Sequence, residues 1–562
     1  MFKNWRHYLF LLTLVFIIIF FAFKLWQHPI NLPFAYQSDS YLEMMMVKNQ
    51  LSSGKFYYSN QLSLPGEQSM LDFPMTQAGL FSISFLFSLI SKNIFVVFNL
   101  FYLSGFFLAA FTSYFTFLKL DLPAQAGIKN FYAFWGAILF TFLPYHFAHG
   151  AIHSYLSHYW VVPLAFLFAK QILFNQKPKK IIIKLFLIGA LIASTGIYYA
   201  YFSCLLVLCC LLILLLQKQF SKPKIFLAGS FLLVISLSSL LQLAPNFKFW
   251  WQNGRNELVG QRSPHEAEMF GLKPAYLLIP INNQTRHFFK NQEEQQYLGL
   301  AGLAGLLIAT LIFFDPPAGG KIIENKSKFR QIKIWYYVLV LLILLSLNTG
   351  GATIISHLIT AQIRAYGRII PFINFTCFLI LFYFLAELEK KIKFKKLFFL
   401  LINLFFIITL LDQLRAFLPL SEQEKIDFYQ DQQFIKEIEA KMSTNARIYQ
   451  LPYKDFPETP NLYKLGNYDL LKGYLHSPNL AWSYASLKGR WVAYWQWDLY
   501  TKDPQQQLKI LQDNNFDGLY IDKYGYADEG KAIEASFSAL LKQNPITSDN
   551  NRLIFYDLTN LK

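Results

Sequence analysis

The sequence predicts a mainly α-helical, polytopic membrane protein carrying a small α/β domain at its C-terminal end. Three observations lead there. Of 562 residues, 54% are hydrophobic and 15% charged, too little charge to wet the surface of a soluble protein of this length. Uniform apolar runs such as residues 8–23 and 397–411 are longer and plainer than a core helix requires, and they read as membrane spans. From Ser421 onward the character changes: 16 Lys and Arg stand against 19 Asp and Glu, and the apolar residues become periodic.

Taken in order, the first run, 8–23, follows Lys3 and Arg6 like a signal peptide. It is Phe-rich and lacks a small-x-small cleavage site, so it is expected to stay as span one. A long loop, 26–77, follows. The run 78–90 is too short to cross alone and is expected to be a re-entrant or surface helix leading into span two, 94–118. Further spans fall at 131–145, 155–174, 181–193, 197–216 and 225–243. After a second long loop, 244–296, come spans at 297–314, 334–347, 369–386 and 397–414, eleven in all. Gly299, Gly302 and Gly305 suit close helix packing. The chain thus divides into a membrane domain, 1–415, and a tail domain, 416–562. In the tail, "KIDFYQDQQFIKEIEA" has helical spacing, "RIYQLP", "GLYIDK" and "RLIFYDL" read as strands, and Asn514 to Gly518 form a turn.

The net charge of +17 has a topological reading and does not call for nucleic acid. Basic residues cluster in short loops: Lys177, Lys179, Lys180 and Lys184; Lys218, Lys222 and Lys224; Lys321, Lys326, Lys328, Arg330 and Lys333; Lys390, Lys391, Lys393, Lys395 and Lys396. Such loops stay cytoplasmic. The N-terminus is then cytoplasmic, and both long loops and the tail lie outside an inner (plasma) membrane. The four cysteines, Cys204, Cys209, Cys210 and Cys377, sit in apolar runs and give neither a disulfide framework nor a zinc site.

Chemistry belongs on the face that carries the long loops. "QSDSYLE" (37–43) sets Asp39 and Glu43 four residues apart, soon after span one. A carboxylate at headgroup depth can act as general base. A phosphate leaving group needs cations, and Arg262, His265, Arg364 and Arg368 are available in the loops. "RAYGR" puts Arg364 and Arg368 four apart, on one face if helical. Asp72 is either functional or a cap of the surface helix, and Glu43, Asp72 and Glu268 are possible acceptor or metal contacts. Glu266 and Glu268 also suit a local ion-pair network with Arg262. His146, His149, His153 and His158 lack "HExxH" and an acidic companion, and are expected to be polar residues at the turn between spans three and four; no metal ligand set is assigned. Trp482, Tyr484, Trp491, Tyr494, Trp495 and Trp497 suit a tail core or a docking surface, with sugar stacking as the alternative.

"SDSYLE" (38–43), "DFPMTQAGLFSISFLF" (72–87), "LPYHFAHG" (143–150) and "GYLHS" (473–477), in this layout, resemble the GT-C superfamily of polytopic glycosyltransferases, and most closely a group of uncharacterised bacterial membrane proteins of that type. The resemblance implies transfer of a sugar from a polyprenyl-phosphate-linked donor to a cell-envelope glycan or lipid acceptor, with Asp39 as the first-loop acid and membrane lipid as surroundings. The superfamily's Asp-x-Asp or Glu-x-Asp pair is missing, since Asp39 is flanked by Ser; a divalent metal remains possible. Two other readings compete: a flippase or transporter of lipid-linked saccharides, and a non-enzymatic membrane scaffold. The first usually shows mid-span ionisable residues or repeats, which this sequence scarcely has. The second leaves the two long loops without a purpose.

Overall fold

A computed structural model describes residues 5–120, 122, 126–174, 182–282, 284–314 and 326–561. Lys177, Lys179, Lys180 and Lys321 lie outside the described residues. Helices occur at every predicted span. They are α1 (Trp5–Ala22), then α2 (Asp39–Ser53) and α3 (Ala78–Ser88) in the first loop and its surface segment, then α4 (Ile94–Lys119), α5 (Ala126–Thr141), α6 (Pro144–His149), α7 (Val162–Phe174), α8 (Ile182–Ala193), α9 (Ile197–Leu216) and α10 (Lys222–Gln242). The second loop holds α11 (Ala244–Asn253) and α12 (Glu266–Met269). It is followed by α13 (Gly299–Phe314), α14 (Lys326–Ser346), α15 (Gly351–Leu358), α16 (Ile370–Glu389) and α17 (Lys395–Leu414). Among the described residues, eight helical segments are long and apolar enough to cross a membrane. Of the other three predicted crossings, α8 has 12 residues and α13 has 16, short of the roughly 20 a perpendicular crossing takes; the third is α14.

α16 is the axis of the bundle. Nearly all of it is buried, whereas α1 and α17 expose most of their surface as lipid-facing helices do. Small residues let α13 approach it closely. A Cβ on Gly305 would run into the Cys377 carbonyl oxygen, and one on Gly302 would sit 2.5 Å from Asn374 Oδ1.

The tail opens with α18 (Glu422–Lys441), started by a capping box in which Ser421 and Glu424 bond each other's backbone N–H. Its sheet has five strands in the order β4-β3-β5-β7-β6, counted after the short hairpin β1 (Tyr58–Ser59) and β2 (Gln68–Ser69) of the first loop. They are β3 (Arg447–Leu451), β4 (Ala481–Trp482), β5 (Gly518–Asp522), β6 (Ile546–Thr547) and β7 (Leu553–Asp557). β3 runs parallel to β4 and β5, and β7 runs antiparallel to β5 and β6. The predicted turn before β5 is present, with Asn515 at φ 58°. Helices α19 (Leu471–His476), α20 (Trp491–Tyr500), α21 (Pro504–Asp513) and α22 (Lys531–Leu541) complete it.

The first loop and the tail are stitched through backbone. Trp482 N donates to the Gln61 carbonyl at 2.8 Å, Ser63 N to the Tyr484 carbonyl at 2.9 Å, and Leu64 N to the Trp482 carbonyl at 3.3 Å. The loop therefore covers the β4 edge, which would otherwise offer unpaired groups. α2 is wedged between α4 and α19, and nine of its residues are buried, from Ser40 to Asn49.

Candidate active site

The structure separates the two carboxylates of "QSDSYLE". Asp39 opens α2, and its side chain is 36% exposed. Its Oδ2 lies 3.1 Å from Nδ1 of His153, in the turn after α6. Glu43, one turn further along, faces inward and is buried. It accepts hydrogen bonds from the Ser154 backbone N–H at 2.8 Å and from the Ser154 hydroxyl. Burial pushes its carboxyl up to about 8, against the opposing pull of those Ser154 bonds.

The residue before Asp39 is strained. Ser38 has φ 49° and ψ −129°, a region that side chains other than glycine seldom occupy. A small ring of bonds closes over it: the Ser40 hydroxyl donates to the Gln37 carbonyl at 2.6 Å and accepts from Gln37 N at 3.1 Å, and Tyr41 N donates to the Ser38 carbonyl at 3.1 Å.

A second group lies beside this pair. Arg368, in a 3-10 turn (Tyr366–Ile369) ahead of α16, grips Glu293 with Nε at 3.0 Å and with Nη2 at 2.5 Å. Glu293 also lies 3.6 Å from His149 Nε2. Burial alone would raise the Glu293 carboxyl, but Arg368 and His149 more than reverse this and hold it well below its ordinary range. The guanidinium stacks 4.3 Å above the Tyr198 ring. The two groups share one neighbourhood: burial lowers the proton affinity of His153, Asp39 and Glu293 raise it, and Arg368 and His149 lower it. From the tail, Tyr468 reaches the same place, its hydroxyl pKa raised by burial and by the Asp39 charge.

The remaining predicted residues are placed elsewhere. Arg364 and Arg368 do not share a helical face, because Arg364 precedes the 3-10 turn on irregular backbone and the two diverge. Arg364 bonds Glu266 at 2.8 Å and Glu458 at 3.3 Å, and Arg262 takes Glu458 two-pronged at 2.8 Å on each side. The ion-pair network expected within the second loop therefore runs across to the tail. His265 pairs with Glu268 at 3.5 Å on the surface. Asp72 does not cap α3, whose N-cap is Gln77; it is buried against Arg490 and Asn256. His146 stacks on Phe106 at 3.6 Å, and His158 Nε2 donates to the Phe101 carbonyl, so these two serve packing. Of the tail aromatics, Trp482 and Tyr484 are core, while Trp491, Tyr494 and Trp497 stay exposed.

Sequence reasoning missed Glu293, Glu458 and the pairing of His149 and His153 with carboxylates. The signal for Glu293 was its place: "QEEQQ" puts an acid shortly ahead of α13, as Arg368 stands ahead of α16. For a metal, the fit fails: among the described residues no three His, Cys, Asp or Glu side chains gather closely enough to hold an ion.

No protein family and no curated protein matches the chain. Among solved structures, the archaeal oligosaccharyltransferase AglB from Archaeoglobus fulgidus, in complex with an inhibitory peptide and a dolichol-phosphate, is similar over 99% of this chain and 75% of its own, at 11% identity and a TM-score of 0.46. ArnT from Cupriavidus metallidurans, bound to undecaprenyl phosphate, is similar over 99% and 98%, at 10% identity and 0.43. The arabinofuranosyltransferase AftD from mycobacteria is similar over 92% of this chain and 36% of its own, at 12% identity and 0.42. These are loose likenesses, and the chemistry of the site rests on its own residues.

Proposed function

We propose that the chain is a membrane glycosyltransferase of the GT-C type, moving a sugar from a polyprenyl-phosphate-linked donor to an acceptor hydroxyl or amine on the loop-bearing face. The observation that carries this reading is the exposed Asp39 carboxylate, held by His153 and close to the largely enclosed guanidinium of Arg368. His153 Nδ1, 3.1 Å from Asp39 Oδ2, holds that oxygen in place and leaves Oδ1 to accept a proton. The acceptor oxygen or nitrogen attacks the anomeric carbon, the bond from that carbon to the phosphate oxygen breaks, and polyprenyl phosphate leaves with the bonding electrons. The acceptor proton passes to Asp39 and then to water from its exposed side. A positioned base of this kind contributes about 100- to 10,000-fold.

Arg368 is the favoured partner of the departing phosphate. Glu293 occupies its Nε and Nη2, and Nη1 is the nitrogen left to meet a phosphate oxygen with a charge-assisted hydrogen bond. Arg262 and Arg364 are committed to Glu458 and Glu266, so on this reading they fix the tail over the site.

The test works whichever sugar is carried. Cells lacking the chain are complemented with the wild type or with Asp39→Asn at matched abundance, and lipid-linked sugars and envelope glycans are profiled by mass spectrometry. The reading requires one polyprenyl-phosphate sugar to accumulate and one glycan to lose a residue in both the deletion and the variant. Identical profiles in deletion and wild-type cells would remove it.

A further inference from the structure

We infer that the C-terminal domain is a positioning element for Asp39, acting through Tyr36 on the strained turn at Ser38. This rests on the reading of Asp39 as the base.

Tyr36 lies three residues ahead of Asp39 and is 3% exposed. Its hydroxyl donates to Asp431 Oδ2 of α18 at 2.9 Å and accepts from His476 Nε2 of α19 at 2.8 Å. Asp431 is in turn held by Lys472 Nζ at 3.0 Å, with both side chains at 5% exposure or less. The same ammonium lies 5.1 Å from the centre of the Tyr36 ring and 5.6 Å from that of Tyr41. Tyr41 closes the loop, donating its hydroxyl to the Tyr36 carbonyl at 2.6 Å. Gln37 Nε2 reaches Glu424 of α18 at 3.1 Å. Residues 36, 37 and 41 are therefore tied to the tail or to one another, and Ser38, at φ 49°, lies between them with no tail contact of its own among the hydrogen bonds described.

The physical argument concerns what keeps Ser38 there. A non-glycine residue at such angles relaxes unless its surroundings over-determine it. The bonds of Gln37, Ser40 and Tyr41 are short-range and would re-form around a relaxed turn. The tail contacts are anchored outside the turn, so they can hold it open against relaxation. If the turn relaxes, Asp39 swings away from His153. A buried charged network is also the wrong choice for mere adhesion, since similar apolar packing does that as well or better. The seam has separate fasteners in Asp72–Arg490 and Glu458–Arg262, so docking does not hang on Tyr36.

Tyr36→Phe removes one oxygen and keeps the ring. In detergent-purified full-length protein, the bonded amides of Ser40 and Tyr41 should exchange with deuterium at least about ten-fold faster while those of 44–49 stay at the wild-type rate. In membranes from the complemented cells, consumption of the accumulating lipid-linked sugar should fall by up to about 100-fold, the scale of a small misplacement of a reacting group. Adding Ser38→Gly, which adopts the left-handed region without strain, should bring transfer back to within a few-fold of wild type. A role confined to folding or docking gives no such rescue, so loss without rescue overturns the proposal. So does wild-type exchange and transfer in Tyr36→Phe. Asp39→Asn separates the two claims: if it transfers normally the base reading falls, while exchange at Ser40 and Tyr41 still decides whether the tail holds the turn.

Discussion

Asp72 and Arg490 meet in a two-pronged ion pair, 2.6 Å at each prong, with the carboxylate side chain wholly buried. Arg490 also donates to the Asn253 and Gly254 carbonyls at the end of α11. One tail side chain thus fastens both long loops. Removing the carboxylate leaves the Arg490 guanidinium, itself 24% exposed, without its anionic partner, a loss smaller than the roughly 3–5 kcal/mol of a fully buried pair. Asp72→Ala is expected to lower the thermal unfolding temperature of the purified protein and to open the tail to limited proteolysis, whereas Asp72→Leu with Arg490→Met is expected to be milder. Unfolding temperatures that match wild type in the single variant would discard the fastening role.

Asp39 and Glu43 make a matched pair of tests. Asp39→Asn preserves shape and should leave abundance and unfolding temperature unchanged while cutting transfer by about 100-fold or more. Glu43→Gln should keep most of the transfer, because Glu43 faces Ser154 and not the open side. Equal losses in the two variants would point to a shared structural cause.

Glu43 also carries a pH signature. Its folded pKa, near 8, stands above the ordinary carboxyl value of 4.5. The stability it supports is therefore complete below about 4.5 and is lost as pH rises towards 8, amounting to a few kcal/mol in all. Glu43→Gln cannot lose a proton, so its unfolding temperature should fall less between pH 5 and about 8 than that of the wild type. Parallel curves for the two proteins would contradict the buried, protonated state.

Arg368 is expected to be more sensitive than Arg364. Arg368→Ala should weaken donor binding by roughly 1.5–3 kcal/mol, the worth of a hydrogen bond to a charged group, and should also strand Glu293. Arg368→Lys should recover only part of this, lacking the fork. Arg364→Ala should shift tail docking and leave donor binding near wild type. Binding of a radiolabelled polyprenyl phosphate to the purified variants distinguishes them, and unchanged binding in Arg368→Ala would take it out of the site.

The basic loops predict sidedness. Single cysteines introduced at Lys222 and Lys393 should be shielded from a membrane-impermeant thiol reagent in intact cells, and one at Tyr494, 60% exposed on the tail, should react. Labelling of the reverse set would invert the topology.

Much of this architecture was legible because its signals are local. Apolar length marked the helices, Gly302 and Gly305 marked the close approach of α13 to α16, and alternation marked β3, β5 and β7. Asp39 stood out by its position after α1. Its companions did not, since His153 and Glu293 come from other loops and no spacing rule links them to it. Arg364 and Arg368 illustrate the limit: four residues apart suggested one helical face, but the 3-10 turn between them sends each to a different carboxylate. Asp72 looked like a cap because its neighbours in sequence are a helix, while its true partner, Arg490, belongs to the tail.

The Tyr36–Asp431 bond spans most of the chain, and this bears on how the protein is made. Ribosomes deliver the first loop long before the tail. Until α18 and α19 have folded, Tyr36 and the β4-covering segment 61–64 lack their tail partners. The newborn protein must pass through a stage in which its helices are already inserted while an apolar loop lies bare at the membrane surface, where chaperones and proteases patrol. Tail variants that fold slowly should therefore betray themselves first as nicks within residues 26–77, far from the altered residue.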